Sequence, residues 1–513
     1  MKKYINPNLT LLQNFRTNNS GLLSTGGSKK HLFNGLSSTI EFKENIVLKP
    51  NTFLPTDLKG TKDIKFRKGS ELQLVCSAIN YYISGNDIIP TKISFPNFED
   101  PLVDAKSLRK EIIANVHNVS SQSKKHYNKE RFYRYLLPVE KTLTLQGDFY
   151  PLCSVCIDSQ NTTLLKIEIE NQEYHLYSIK IDNQFYIIID AMDEIMFERF
   201  TQVVNSIFMV FAMLKGTFYG GFAYIFSYND RHLKNPKSIR TFESSETSSK
   251  GYEVHTTNPY RYINFQSPRF KKSEEGNLVR IGKDTARNYM VEFPLENYSK
   301  LCEFVITRGS LLRSFILLTN CASSPLEVKI PALFVVLENI TKVIVTIDSK
   351  KDFEIFEEED IKKSIKKISK DAAKEVNALE LKNRPKGLTS DEIKKRKLDY
   401  ERLITKLYKI NKGSNNQKLS EPFEKFGYVL SKDEENALYV QRNKFIHGDD
   451  FSLSDVDFDK EFQELFHLSF IVYNLCVILL LKLSGFSGYI VYLPKVYNYI
   501  TNQKISGKAL RKI

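Results

Sequence analysis

The sequence predicts an α+β protein, with a β-rich region over residues 1–310 followed by an all-α helical bundle over residues 323–485. Two patterns support this. Residues 163–189 contain three alternating or apolar runs separated by turn residues, as in an antiparallel meander. Beyond residue 323 the apolar residues recur at helical spacing. With 513 residues, 42% of them hydrophobic, the chain is long enough for two to four domains.

The meander lies in the middle of the β-rich region. Its runs are separated by Glu170-Asn171-Gln172 and Asp182-Asn183, residue types that favour tight hairpin turns. The region is either one domain or two subdomains divided near residue 155. Its predicted elements are strands over 163–170, 174–181 and 185–189, a helix over 193–215 ended by Gly216, and a strand over 218–226.

Two stretches of this region are predicted to be loops. Residues 21–30 are rich in glycine and serine, but Gly27 occupies the position where a Walker A motif requires lysine, so a flexible loop is predicted. Residues 229–285 are polar and basic, with Tyr252, Tyr260, Tyr262 and Phe265 among them. A solvated loop region is favoured, and a sensing surface that stacks single-stranded nucleic acid is the alternative.

The C-terminal bundle is predicted to have up to five helices, joined by linkers at 383–387 and 411–418. The first segment contains Glu338 and is rich in valine and isoleucine, so it is predicted to be a helix or partly a strand. A lone glutamate of this kind is usually exposed or salt-bridged. The predicted helices cover residues 331–347, 356–381, 389–410, 435–446 and 462–483. The third of them begins with a capping box at Thr389–Glu392.

Charge and hydropathy limit the partners and the location. The net charge is +14 and the pI about 9.1, which favours a polyanionic partner such as nucleic acid or a membrane surface. The N-terminus lacks an apolar signal segment, and the longest apolar run, 468–481, is shorter than the roughly 20 residues of a spanning helix. We therefore expect a soluble cytoplasmic protein with no membrane partner.

The cysteines and histidines do not suggest a metal centre. Cys153 and Cys156 form a CxxC pair, but a second pair at zinc-like spacing does not follow. The six cysteines are scattered and are best interpreted as small buried hydrophobes. Neither a metal nor another cofactor is predicted.

The strongest chemical signal is the stretch Arg442-Asn443-Lys444-Phe445-Ile446-His447. It comes after a capping box at Ser431–Glu434, so the motif lies on the last turns of a helix. Asn443 and His447 are four apart and share a face, whereas Arg442 and His447 are roughly 140° apart around the axis. One helix alone does not close them around a phosphate. Two copies facing each other across a two-fold axis would line one groove, which predicts a homodimer.

Arg442-Asn443-x-x-x-His447 resembles the Arg-polar-x3-His signature of the HEPN superfamily of helical ribonucleases, and the wording RNKFIHG is most similar to the Apea-like HEPN proteins of anti-phage defence. The resemblance covers at most the last third of the chain. It implies a HEPN-like nuclease fold over residues 323–485 and metal-independent RNA cleavage. It also implies that Arg442, Asn443 and His447 are the catalytic residues.

The residue types suit that chemistry. A ribose 2′-hydroxyl would attack the adjacent phosphorus while His447 moves a proton, since histidine titrates near pH 6.5. Arg442 would meet the phosphate oxygens with a planar fork of donors, and Asn443 would orient His447 or a phosphate oxygen. The products would carry 2′,3′-cyclic phosphate and 5′-hydroxyl ends. In the alternative interpretation, Arg442 and His447 only cap a helix C-terminus.

The expected function is therefore an endoribonuclease of bacterial abortive infection. Its RNA would be host tRNA or mRNA, or phage RNA, and residues 1–310 would sense a phage-derived trigger or restrain the nuclease. Two alternatives stay open: a non-catalytic RNA-binding or dimerisation module, and the toxin of a toxin/antitoxin pair. The basic tail, residues 486–513, would clamp nucleic acid or fray.

Overall fold

The structure is a computed structural model that divides the chain into two compact units. Unit 1 comprises residues 1–312 and 488–490, and unit 2 comprises residues 313–487 and 491–513. The residues that the structure describes are 2–17, 19–25, 37–42, 46–50, 71–77, 79–84, 88–94, 111–145, 148–158, 160–243, 252–259, 270–272, 278–280, 292–348, 358–383, 385, 387, 389–408, 415–447, 458–497 and 509–513.

The architecture is mixed, with a large N-terminal sheet and C-terminal helices, as the sequence predicts at that level. The strands are β1 Lys2–Lys3, β2 Asn19–Thr25, β3 Ser37–Phe42, β4 Ile46–Pro50, β5 Glu71–Val75, β6 Tyr81–Ser84, β7 Ile88–Ser94, β8 Glu111–Val116, β9 Val119–Ser120, β10 Phe132–Val139, β11 Phe149–Tyr150, β12 Cys153–Ile157, β13 Gln160–Ile169, β14 Gln172–Ile181, β15 Gln184–Ala191, β16 Thr217–Phe218, β17 Phe222–Tyr228, β18 Ser238–Glu243, β19 Tyr252–Glu253, β20 Phe270–Lys272, β21 Leu278–Arg280, β22 Phe293–Pro294, β23 Tyr489–Val491 and β24 Leu510–Lys512.

Helices accompany the sheet in unit 1 and form most of unit 2. They are α1 Asn6–Arg16, α2 Lys124–Tyr127, α3 Phe197–Lys215, α4 Leu295–Thr307, α5 Gly309–Asn320, α6 Leu326–Asp348, α7 Glu359–Lys382, α8 Ser390–Tyr408, α9 Asn415–Lys425, α10 Lys432–Asn436, α11 Arg442–His447, α12 Phe458–Leu483 and α13 Leu493–Val496. A π-helical turn, Ala437–Gln441, lies between α10 and α11.

Sixteen of the described strands form one sheet in unit 1, in the order β1-β12-β13-β14-β15-β10-β17-β18-β9-β6-β5-β2-β3-β4-β8-β7. The pairs are antiparallel except β1 with β12. The sheet continues on both sides of residue 155, because β12 pairs with β1 and with β13. Helix α1 packs against the sheet through Leu12 and Phe15, which lie in a buried cluster with residues of β3 to β6 and β17.

The predicted meander is confirmed as β13, β14 and β15. Its turns place Glu170, Asn171, Asp182 and Asn183 at positive φ, which is the conformation of two-residue hairpin turns that match the strand twist. Each strand therefore starts and ends within three residues of its predicted bounds.

The predicted helix 193–215 is confirmed as α3 but begins later. Ile195 forms a β-bridge with Arg131, and Met196 is extended, so the helix starts at Phe197. Gly216 ends it at φ +74, where a side chain would lie 2.8 Å from Thr256 Cγ2. The predicted strand 218–226 is divided into β16 and β17.

The loop predictions were partly wrong. Gly21–Thr25 belong to β2, because they pair with both β3 and β5, whereas residues 26–30 lie outside the described residues. Within 229–285, residues 238–243 form β18 in the sheet, and Tyr252 packs against Phe218 with ring centroids 5.2 Å apart. Tyr260, Tyr262 and Phe265 lie outside the described residues.

The bundle prediction identified most helices of unit 2. The predicted helices correspond to α6, α7, α8 and α12, with the motif on α11, and the capping box at Thr389–Glu392 is present. Helix α9 was missed, because Asn415–Lys425 contains Pro422 and overlaps the predicted linker. The segment 331–347, left as helix or strand, is helical.

Among the helices that the structure describes, two are long and apolar enough to cross a membrane by length and composition, within α6 and α12. In α12, 83% of the most apolar stretch is buried in the protein, and in α6 the figure is 50%. The two helices pack against each other. A core helix of a soluble protein meets the same criterion, and residues 468–481 are buried.

Candidate active site

The helix that carries the motif begins with the predicted capping box. The Glu434 amide donates to Ser431 Oγ at 3.4 Å, and the Ser431 amide donates to Glu434 Oε2 at 2.8 Å. Each side chain thus satisfies an amide that the helix cannot. The position at which α10 starts is fixed by these two residues.

The sequence predicts one continuous helix over residues 435–446. That prediction was wrong, because the π-helical turn Ala437–Gln441 interrupts the helix. The Arg442 amide donates to Ala437 O, five residues back instead of four. One such turn accommodates an extra residue and rotates the residues after it by about 100° relative to an uninterrupted α-helix. Ala437 and Leu438 are buried, so the turn is packed into unit 2.

The Arg442 guanidinium is held by Glu338 of α6. Its Nε and Nη2 donate to Glu338 Oε1 at 2.9 Å and 2.5 Å. The Arg442 side chain is 12% exposed and that of Glu338 is 40% exposed. A pair this open to solvent contributes about 1 kcal/mol or less to stability, so its main effect is to orient the guanidinium.

Asn443 provides the second contact to Arg442. Arg442 Nη1 donates to Asn443 Oδ1 at 3.1 Å, while Asn443 Nδ2 donates to Tyr439 O at 2.9 Å. The amide is therefore anchored to the preceding helical turn with its oxygen toward the arginine. An arginine has five N–H donors, and the described contacts use three of them. The two that are left, on Nη1 and Nη2, can meet the oxygens of a phosphate.

His447 is the last residue of α11, and its backbone continues the helix from Arg442. The predicted angular spacing within 442–447 therefore applies to the backbone. The side chain of His447 lies outside the described residues, so its contact with Asn443 or with substrate stays a prediction. The structure brings Arg442 and Asn443 together and adds Glu338 to them, a partner 104 positions away in sequence.

The end of the chain packs against the start of the motif helix. Arg511 Nη1 donates to Glu434 Oε1 at 3.0 Å and to the Tyr428 hydroxyl at 3.2 Å, and its guanidinium lies 3.1 Å from the centre of the Tyr492 ring. Glu434 is fully buried. Burial, together with the Glu434 carboxylate, raises the pKa of Tyr428 and of Tyr492. Arg511 is thus occupied within unit 2 and is not free to clamp nucleic acid.

The lysine-rich helices α7 and α8 carry most of their charge on the surface. Lys366, Lys367 and Lys370 of α7 and the 394–397 stretch of α8 are exposed or half-exposed, and α8 has no buried residue among those described. These lysines therefore lie on a solvated surface of the two helices.

In the described parts of the chain, no three His, Cys, Asp or Glu side chains cluster in a geometry that could hold a metal ion. Cys153 and Cys156 both lie in β12, at positions 1 and 4 of the strand.

Comparison of the chain with protein-family models, curated proteins and solved structures found no match. The likeness to HEPN ribonucleases therefore rests on the motif and its surroundings.

Proposed function

We propose that this chain is a metal-independent endoribonuclease of anti-phage defence, with a HEPN-like site formed by Arg442, Asn443 and His447. The observation that carries the proposal is the arrangement of Arg442. Its guanidinium is fixed on one edge by Glu338 and is bonded to Asn443, while two N–H donors are left for a ligand. Donors oriented in advance stabilise the charge that develops on phosphate oxygens in a transition state.

The reaction follows from these groups. The ribose 2′-hydroxyl attacks the neighbouring phosphorus, and the bond to the 5′-oxygen of the next nucleotide breaks. His447 exchanges the protons, because a histidine changes its charge near neutral pH. Arg442 binds the non-bridging oxygens. The products carry 2′,3′-cyclic phosphate and 5′-hydroxyl ends, and DNA, which lacks the nucleophile, is not cleaved.

The partners follow from charge and geometry. The net charge of +14 favours RNA, whether host tRNA or mRNA or phage RNA. A second copy of the chain would supply the facing helix, and Val440, 48% exposed just before the motif, is an apolar side chain that such a contact would cover. In this proposal unit 1 senses a trigger or restrains the nuclease in the cytoplasm.

The test compares wild type with Arg442→Ala and His447→Ala on total RNA in EDTA. Lys444→Ala is the matched control, because Lys444 is an exposed cation of the same helix at a position that the motif does not specify. We expect wild type and the control to cleave RNA and leave cyclic-phosphate ends, and the two motif variants to lose at least roughly 100-fold in rate, the contribution of one general acid or oxyanion donor. Equal cleavage by all four proteins would refute the catalytic role.

One observation favours a second candidate, a non-catalytic RNA-binding or dimerisation module. Arg442 is partly occupied by its ion pair with Glu338, as an arginine with a purely structural role would be. If none of the four proteins cleaves RNA, with or without phage infection, while wild type and His447→Ala bind it equally, the module is correct. A toxin restrained by a separate antitoxin would instead arrest growth when expressed alone, and only with His447 intact.

A further inference from the structure

Unit 1 contains a cavity of about 450 Å³ beside the start of the sheet. It is lined by Lys3, Tyr4, Met192, Arg231, His232, Leu233 and Lys234. Lysine and arginine supply three of these lining side chains, and none of the lining residues is acidic. The volume falls within the range of small-molecule sites.

Behind Lys3, the buried ion-pair cluster has an excess of positive charge. Lys3 and Arg134 both pair with Asp190, and the side chains of all three are at most 3% exposed. Two cations thus share one carboxylate, to which Tyr177 also donates at 2.8 Å. The nearby Glu173, which is one-third exposed, is bonded to His175 and Lys166.

Lys3 is the member of this cluster that reaches the cavity. Its ammonium donates to Asp190 and to Met192 Sδ, the latter at 3.7 Å. A thioether is a weak acceptor, and Met192 itself lines the cavity, so an anionic oxygen there would be a better partner. Burial, with the repulsion of Arg134, lowers the pKa of Lys3 to about 8. Because Lys3 and Arg134 share the Asp190 carboxylate, the positive charge of Lys3 is incompletely compensated.

The outer wall is a strained turn that carries the other cations. Leu233 is buried at φ +54, a conformation that bulky residues seldom adopt. Asp230 holds the turn by accepting from the His232 amide at 2.9 Å and from the Leu233 amide at 3.3 Å. In the described residues, a carboxylate does not pair with the exposed Arg231 or Lys234, and Lys234 lies over the Tyr4 ring.

We propose that this cavity binds a small phosphate-bearing anion, with Lys3 at its base and Arg231 and Lys234 at its mouth. Cations that converge on one concave site bind phosphate through charge-assisted hydrogen bonds. The bound anion would neutralise the excess buried positive charge. The strained turn would hold Arg231 and Lys234 where they can contact that anion. This site is independent of the proposed nuclease.

The test is calorimetric titration of the full chain with inorganic phosphate and with pyrophosphate at constant ionic strength. We expect a single site that prefers pyrophosphate, and a loss of roughly tenfold in affinity for Arg231→Gln and for Lys234→Gln. Lys237→Gln, which removes an exposed charge beyond the cavity, is the matched control and leaves the affinity within about twofold. Affinity falls as the pH rises through about 8, because Lys3 loses its proton.

Three outcomes would overturn the proposal. The first is that neither anion binds. The second is that Lys237→Gln weakens binding as much as the lining variants do, which would indicate diffuse surface attraction. The third is that a single-stranded RNA oligonucleotide binds at this face while phosphate and pyrophosphate do not. None of these measurements depends on RNA cleavage, so the result is separate from the test of Arg442 and His447.

Discussion

Arg511→Met should loosen the start of the motif helix. Arg511 is one-fifth exposed, whereas its partner Glu434 is fully buried and also accepts from the Tyr428 hydroxyl at 3.0 Å. Methionine keeps much of the apolar stem over Tyr492 and removes the charge and the donors. A buried carboxylate then loses its only described ion-pair partner.

The magnitude depends on the partners that Glu434 keeps. Removing one partner of a buried ion pair costs about 3–5 kcal/mol. Two donors to Glu434 survive, the Ser431 amide and the Tyr428 hydroxyl, and Arg511 is partly solvated. Discounting for both effects, we expect a loss of about 2–3 kcal/mol. In a cycle with Glu434→Gln, the double variant should cost about 2 kcal/mol less than the sum of the single variants.

Hydrogen exchange measured by mass spectrometry reports this locally, because peptides over residues 431–441 contain the cap and the π-helical turn. A loss of about 2–3 kcal/mol corresponds to exchange roughly 30- to 150-fold faster. Lys512→Met is the matched control, since Lys512 is exposed and adjacent. A change below about threefold in Arg511→Met, or an equal change in Lys512→Met, would refute the reasoning.

Three further predictions concern other parts of the chain. Burial lowers the pKa of Lys3 from 10.5 to about 8, so between these values the unfolded chain binds more protons at this residue than the folded chain does. The free energy of unfolding of wild type should therefore rise with pH relative to that of Lys3→Met, by about 1.5 kcal/mol between pH 8 and 9.5. Urea unfolding of both proteins at the two pH values measures this. Asn183→Val should lower stability by about 1–2 kcal/mol at φ +64, whereas Asn183→Gly should not, as thermal unfolding would show. In the proposed RNA-cleavage assay, Glu338→Gln should lower the rate by less than Arg442→Ala does, and the pH profile of the rate should stay that of wild type. Equal rates for Glu338→Gln and wild type would show that Glu338 does not position the arginine.

The sequence was sufficient where local chemistry decides the structure. The turns at Glu170-Asn171 and Asp182-Asn183 need residues that tolerate positive φ, and those residue types are visible in the chain. The cap at Ser431 and the stop at Gly216 are equally local. Such features were predicted correctly because no distant contact competes with them.

The missed elements depend on tertiary contacts. Gly21–Thr25 were predicted to be a loop, yet two neighbouring strands supply hydrogen bonds to them. Asn415–Lys425 were predicted in part to be a linker, yet Leu419 and Phe423 are buried and the helix packs against α6. In both cases the gain from pairing or burial outweighs weak local propensity.

The candidate site divides in the same way. Arg442, Asn443 and His447 were predicted from the resemblance of their motif to a known signature, and the structure gives the first two a mutual hydrogen bond. Glu338 was noticed but not chosen, because a glutamate 104 positions away carries no sign of its partner. Arg511 was assigned to a free basic tail for the same reason.

The π-helical turn gives the site a dependence on chain length. Residues 437–441 contain one residue more than a regular α-helix would have there, and Val440 is the exposed residue of this π-helical turn. Deleting Val440 would restore regular α-helical bonding while turning Arg442 by about 100° relative to Ser431 and away from Glu338. A single-codon deletion that changes no motif residue would therefore break the contact between Arg442 and Glu338. A substitution at position 440 would leave the direction of the Arg442 side chain unchanged.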